Sequence, residues 1–149
     1  MINEISAAGD DFVELYNAGA APFDLTGYGL CDTADDGTPK VAEATRFVDG
    51  ETLAPGAFLV VVADLAAAPP GPQTDCLAGA VATCYHASWG ISAGKGEKIF
   101  LLDTTDAQVG VAEYGPDAVP EGQTLGHIPD GEGALVPNAP TPGAANAAP

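Results

Sequence analysis

The chain has 149 residues, enough for one domain with a sizeable core and too few for a two-domain enzyme. Four Lys and Arg face 21 Asp and Glu, a formal charge of -17, so the surface repels phosphate and anionic lipid and excludes nucleic acid and membrane headgroups as direct partners. The 19 Gly and 13 Pro, with apolar residues in short runs, argue against a helical protein, and no run of about 18 apolar residues is present to span a bilayer.

At the start, "MINEISAAGDD" has neither a basic n-region nor an apolar h-region, so Met1 reads as an added start on an excised or mature segment. "INEIS" (2–6) is the first expected strand, and Gly9, Asp10 and Asp11 form the turn that reverses the chain into "DFVELYN" (11–17). Alternation places Phe12, Glu14 and Tyr16 on one face and Val13 and Leu15 on the other. A carboxylate is buried only when paired, so Glu14 is expected to face solvent or to meet a cation such as Arg46. No spacing sets a second carboxylate or a His against it, as acid-base work would need.

"DLTGYGLCD" (24–32) is the next expected strand. It runs into "CDTADDGTPK", where Asp32, Asp35 and Asp36 precede Gly37. Such hard oxygen ligands suit calcium, but the alternating spacing and closing Glu of an EF-hand are missing, and a solvated turn is the plainer reading. This cluster is the first place to look for a metal, with Asp103 and Asp106 second. "TRFV" (45–48) follows, and then "TLAPGAFLVVVAD", whose Pro-Gly turn feeds an apolar run suited to a strand buried on both sides.

The longest interruption is "LAAAPPGPQTDCLAGAVATCYHAS" (65–88), an excursion too weakly patterned for a strand, with room for a short helical turn. Cys76 and Cys84 flank its "LAGAVAT" stretch and are the pair expected to form a disulfide in an exported domain, leaving Cys31 over. Three reduced buried thiols, or a pairing through Cys31, stay open. Tyr85 and Trp89 lie nearby. Trp89 is expected in the core or at its rim, and the two would offer a carbohydrate or protein-binding surface if exposed.

"GISAGKGEK" (90–98) has three residues where a phosphate-binding loop needs four, and no Ser or Thr after the Lys, so it reads as a glycine turn into "EKIFLLD" (97–103). That strand and "QVGVAEYG" (108–115) form an expected hairpin around a polar turn. His86 and His127 are the only histidines, and Ser6, Ser88 and Ser92 the only serines, with no GxSxG, HExxH or paired CxxC arrangement. From Pro120 onward Pro and Gly are dense, so this stretch is expected to wrap the outside of the fold. The expected domain is 1–146, with 147–149 as a frayed tail or linker.

The order "INEI", "DFVELYN", "DLTGYGLCD", "LAPGAFLVVV", "WGISAGKGEKIFLLD", "GQTLGHIPDG" and "TPGAAN" resembles the lamin tail domain, more narrowly its bacterial branch, from Ile2 to Asn146. The resemblance implies an all-β, immunoglobulin-like sandwich of about seven or more strands, here with a long stapled loop and an irregular C-terminal wrap. It also implies an interaction or structural module without catalytic residues. In animals the module is the globular tail of nuclear filament proteins; in bacteria it sits on exported or surface proteins, often beside nuclease, phosphoesterase or other hydrolase domains. Tyr28 stands where bacterial relatives commonly have Trp, and His127 where they commonly have Arg, so a charge pairing there does not carry over. The insertion around Cys76 and Cys84 also departs from the family pattern.

The expectation is therefore a monomeric, non-catalytic scaffold, extracellular or on the cell surface, whose partner is a protein or a surface polymer. No cofactor is expected beyond calcium at Asp32, Asp35 and Asp36. Two other readings stand beside it: a calcium-dependent adhesion module, and an accessory domain of a secreted nuclease or phosphoesterase.

Overall fold

Period-two alternation builds the first hairpin, in which Ile5 and Val13 face one way and Glu4 and Glu14 the other. The computed structural model describes residues 1–63, 68–74 and 76–149. Its strands are β1 (Ile2–Ser6), β2 (Phe12–Tyr16), β3 (Phe23–Asp24), β4 (Gly29–Cys31), β5 (Thr45–Arg46), β6 (Thr52–Leu53), β7 (Phe58–Val62), β8 (Tyr85–His86), β9 (Glu97–Leu102), β10 (Gln108–Tyr114), β11 (Thr124–His127) and β12 (Leu135–Asn138). They form a six-stranded sheet in the order β12-β11-β1-β2-β7-β8, a four-stranded sheet β10-β9-β4-β5, and the small pair β3-β6. All pairings are antiparallel except β7 with β8.

The two larger sheets enclose one core, as the immunoglobulin-like expectation requires. Ile5, Val13, Leu15 and Val61 come from the six-stranded sheet, and Leu30, Ile99, Leu101 and Ala112 from the other. Each fully buried Leu, Ile or Val contributes about 1.5–3 kcal/mol relative to exposure. Phe47 packs edge-on to Tyr85 with centroids 5.0 Å apart. The expected burial of "FLVVV" on both sides is met at Val60 and Val61, which face opposite clusters.

Outside the core, each large sheet carries a second apolar cluster. Cys31, Phe100 and Leu102 lie under the 3-10 turn Val41–Glu43, and burial pushes the Cys31 thiol up to about 11. Phe12 and Val60 lie under the bridged Cys76 and Cys84. The short helical turn expected between these cysteines is a 3-10 turn, Leu77–Gly79. Residues 64–67 and 75 of the excursion and of the strand before it lie outside the described residues.

The segment after Pro120 is more regular than its turn chemistry suggests. β11 pairs directly with β1, and β12 closes that edge, so this segment completes the six-stranded sheet before wrapping its outer face. No described helix is long and apolar enough to cross a membrane.

Candidate functional site

Glu14 is fully buried, contrary to the expectation that it would face solvent or meet Arg46. Arg46 lies in the other sheet, where it pairs with Asp106 and donates to the carbonyls of Gly27 and Asp103, each at 3.2 Å. Directly opposite Glu14 across the first hairpin stands Glu4, also fully buried. Two carboxylates in register repel if both ionise.

Hydrogen bonds from the C-terminal segment compensate. Glu4 Oε1 accepts from Thr124 Oγ1 at 2.5 Å, Asn138 Nδ2 at 3.2 Å and Thr141 N at 3.1 Å. Glu14 Oε2 accepts from Gly143 N at 2.6 Å, and its Oε1 from Asn3 Nδ2 at 3.3 Å. Asn3 also donates to Asp130 at 2.9 Å, and Asp130 accepts from Asn146 N at 3.0 Å. Asn146 closes the circuit by donating to the carbonyls of Asn3 and His127. Burial pushes Glu14 up to about 8 against the pull of Gly143 and Asn3, with the Glu4 and Asp130 charges adding to the rise. Glu4 is raised as well, mainly by burial.

Backbone geometry at two glycines makes this approach close. A side chain at Gly126 would meet Asn146 Nδ2 at 2.6 Å and Asn138 Oδ1 at 2.8 Å. Gly143 has a φ of +79°, which favours glycine, and it presents its N–H to Glu14. The carboxylates are thus sealed beneath the strap that satisfies them, and a substrate has no route to them. Their arrangement is a clamp for the C-terminal segment.

The other singled-out residues fall into place separately. Cys76 and Cys84 form the expected disulfide, with Cys31 free and buried. Their sulfurs and a ring nitrogen of His86 lie within 4.8 Å of one another, the one such gathering of three His, Cys, Asp or Glu ligand atoms among the described residues, and the sulfurs are bonded to each other. Asp32, Asp35 and Asp36 do not converge. Asp32 pairs with Lys40 at 2.8 Å, Asp36 accepts from Thr38 N and Oγ1 and is lowered by those bonds, and Asp35 is exposed. Asp103 accepts in the same way from Thr105 in the β9–β10 turn.

Tyr85 and Trp89 are only 2% and 4% exposed. They belong to the core, so the surface considered for them does not exist; the Tyr85 hydroxyl, pushed up to about 12 by burial, donates to Glu51 at 2.6 Å. "GISAGKGEK" is a turn entering β9, with Lys95 N donating to Ser92 Oγ at 3.2 Å.

An apolar cleft of about 600 Å³ is open to a partner. Its walls include Phe23, Leu25, Tyr28, Leu53, Leu101 and Val109, and Phe23 packs edge-on to Tyr28 at 5.3 Å. The size and apolar walls are those of a binding site; no Asp, Glu, His, Cys or Ser lines it, and its polar groups come from Tyr16, Asn17, Tyr28 and Met1, whose N-terminal amine donates to the Tyr16 carbonyl at 2.8 Å. The sequence gives little warning of this cleft, because it is assembled from six separate stretches of chain whose apolar residues read as ordinary strand faces.

The Lamin Tail Domain family profile matches residues 1–116. No curated protein matches the chain.

Proposed function

The chain belongs to the lamin tail domain family, and from that premise we propose that it works as a non-catalytic interaction module of an exported bacterial protein, holding a partner protein or surface polymer. The family is an immunoglobulin-like interaction domain, which supports the coarse reading. The observation that carries it for this chain is the contrast between its two groups of candidate residues. The paired carboxylates are sealed under the strap, whereas the open cleft is mostly apolar and is lined by no carboxylate, imidazole or thiol.

The Cys76–Cys84 bridge supports an oxidising setting, hence the extracellular or surface placement. A charge of -17 adds colloidal solubility there and disfavours polyanionic partners.

The test is capture by the immobilised, folded protein from the exported and envelope fractions of its source. A component is expected to be retained, identified and shown in purified form to bind saturably to the folded protein and not to the heat-unfolded one. Turnover of an ester, phosphodiester, glycoside or peptide substrate that one substitution in the cleft abolishes would overturn the proposal.

A further inference from the structure

Sheet edges are templates for added strands, and proteins normally blunt them by shortness, proline or charge. Three of the four edges of the larger sheets follow this rule. β5 and β8 have two residues each, and β12 contains Pro137. β10 is guarded less, by Glu113 and a bulge alone: seven residues long and free of proline, it pairs with β9 on one side and with no strand on the other among the described residues.

Its side chains fit a docking edge. Val109 and Val111 are 53% and 48% exposed, among the most exposed large apolar residues described. Val109 is the extra residue of a bulge, skipped where Gln108 opposes Leu102 and Gly110 opposes Leu101. It and Gly110 also line the apolar cleft, so the open edge and the cleft form one continuous surface. Phe23, 43% exposed, stands on the same cleft.

Charge selects the occupant. Asp24 adjoins Phe23, Asp103 and Asp106 form the turn leading into β10, and Glu113 projects from β10 itself with Glu97 on the paired strand. Arg46 and Lys98 are engaged with Asp106 and Glu113, Lys95 lines the same groove as Glu97 and Glu113, and the Met1 ammonium on the cleft donates to the Tyr16 carbonyl, so Asp24, Asp103 and Glu97 are the carboxylates left to meet an added cation. A second copy would bring another -17 to this acidic edge, so self-pairing is opposed.

We propose that β10 and the adjoining cleft receive an extended, cationic segment of a partner protein as an added strand, with one of its apolar side chains seated by Val109, Phe23 and Tyr28. Main-chain hydrogen bonds would supply affinity, and the cleft and acidic rim would supply selectivity. This rests on the reading of the chain as an interaction module and names the class of partner.

The probe is a synthetic peptide of alternating Val and Lys, titrated against the intact protein, with a peptide of alternating Val and Glu and a block-ordered Val/Lys peptide of the same composition as controls. Saturable binding of the alternating Val/Lys peptide is expected, with slowed amide exchange in β10 and weakening as salt rises. Val109→Lys with Val111→Lys should weaken it by at least about tenfold, and Phe23→Ala by less. Those β10 side chains are exposed, so an unchanged melting temperature checks that the variant is folded. Absent saturable binding, equal binding of the block-ordered peptide, equal binding by the double variant, or self-association through β10 would each overturn the proposal. A natural partner that binds the wild type and the double variant alike would leave the interaction module standing and remove only the β10 assignment.

Discussion

The outer face of the six-stranded sheet is covered in two opposite ways. Over Phe12 and Val60 lies a dry patch closed by the Cys76–Cys84 bridge, with Val62, Leu77 and Val81 around it. Beside it on the same face, Glu14 of β2 and Glu4 of the neighbouring β1 lie under a strap held by hydrogen bonds from Gly143 and Thr141. The first cover is apolar and covalent; the second is polar and rests on carboxyl groups that must shed water to be buried. One sheet face therefore joins a redox-dependent fastening to a proton-dependent one, and each should fail under conditions that spare the other.

The largest expected effect comes from emptying the polar side. Glu4→Ala removes the acceptor shared by Thr124, Asn138 and Thr141, leaves the Thr141 N–H without one and opens a void, and should destabilise by about 3–5 kcal/mol in denaturant unfolding. Proton dependence should be confined to the same side. Glu14 is held at about 8 in the folded protein, above its ordinary 4.5, so the fold binds a proton there that the unfolded chain releases earlier. The stabilisation linked to Glu14 is full below about pH 4.5 and is lost as pH rises through 8, with a slope of at most about 1.4 kcal/mol per pH unit. Glu14→Gln, which keeps an acceptor for Gly143, should flatten unfolding free energy across that window. An undiminished slope in the variant would assign the dependence to other groups.

On the apolar side, Cys76→Ala with Cys84→Ala removes a bridge closing a separation of 8 residues, for which chain entropy gives a loss of about 2.5 kcal/mol. Calorimetry of this variant should show a lower melting temperature with the Glu14 pH window unchanged. A changed window would mean that the two covers act as one.

The contrast also separates what the sequence discloses from what it hides. The dry side is legible, because Phe12 and Val60 sit on strongly alternating or apolar strands and two cysteines flank a short Gly/Ala-rich loop. The polar side is half legible. Pairing "INEIS" with "DFVELYN" around the Gly9 turn sets Glu4 opposite Glu14, a register that reading each strand alone overlooks. The donors that satisfy them include the backbone N–H groups of Thr141 and Gly143, more than 120 residues away, and a backbone N–H has no sequence signature. β11 and β12 hide for a related reason: Gly126 and Pro137 lower their local strand preference, and their pairing comes from the sheet they join. The family match over residues 1–116 survives these gaps because the motifs there depend on turns and core faces, which local chemistry does encode.

The two covers approach each other closely at Gly143, and the smallest effect is expected there. A Cβ added at Gly143 would meet Val81 Cγ1, on the disulfide loop, at 2.8 Å, and the φ of +79° is itself unfavourable for alanine. Gly143→Ala should thus destabilise by about 1–2 kcal/mol, part from the backbone and part from the contact. Opening the disulfide lets the loop carrying Val81 give way, which relieves the contact while leaving the backbone strain. A double-mutant cycle between Gly143→Ala and the Cys76/Cys84 pair should then show coupling of about 0.5–1 kcal/mol, with alanine less damaging in the bridgeless protein. Strict additivity would instead mean that the strap yields at Gly143 without feeling the loop, and that the dry and polar covers are independent even where they meet.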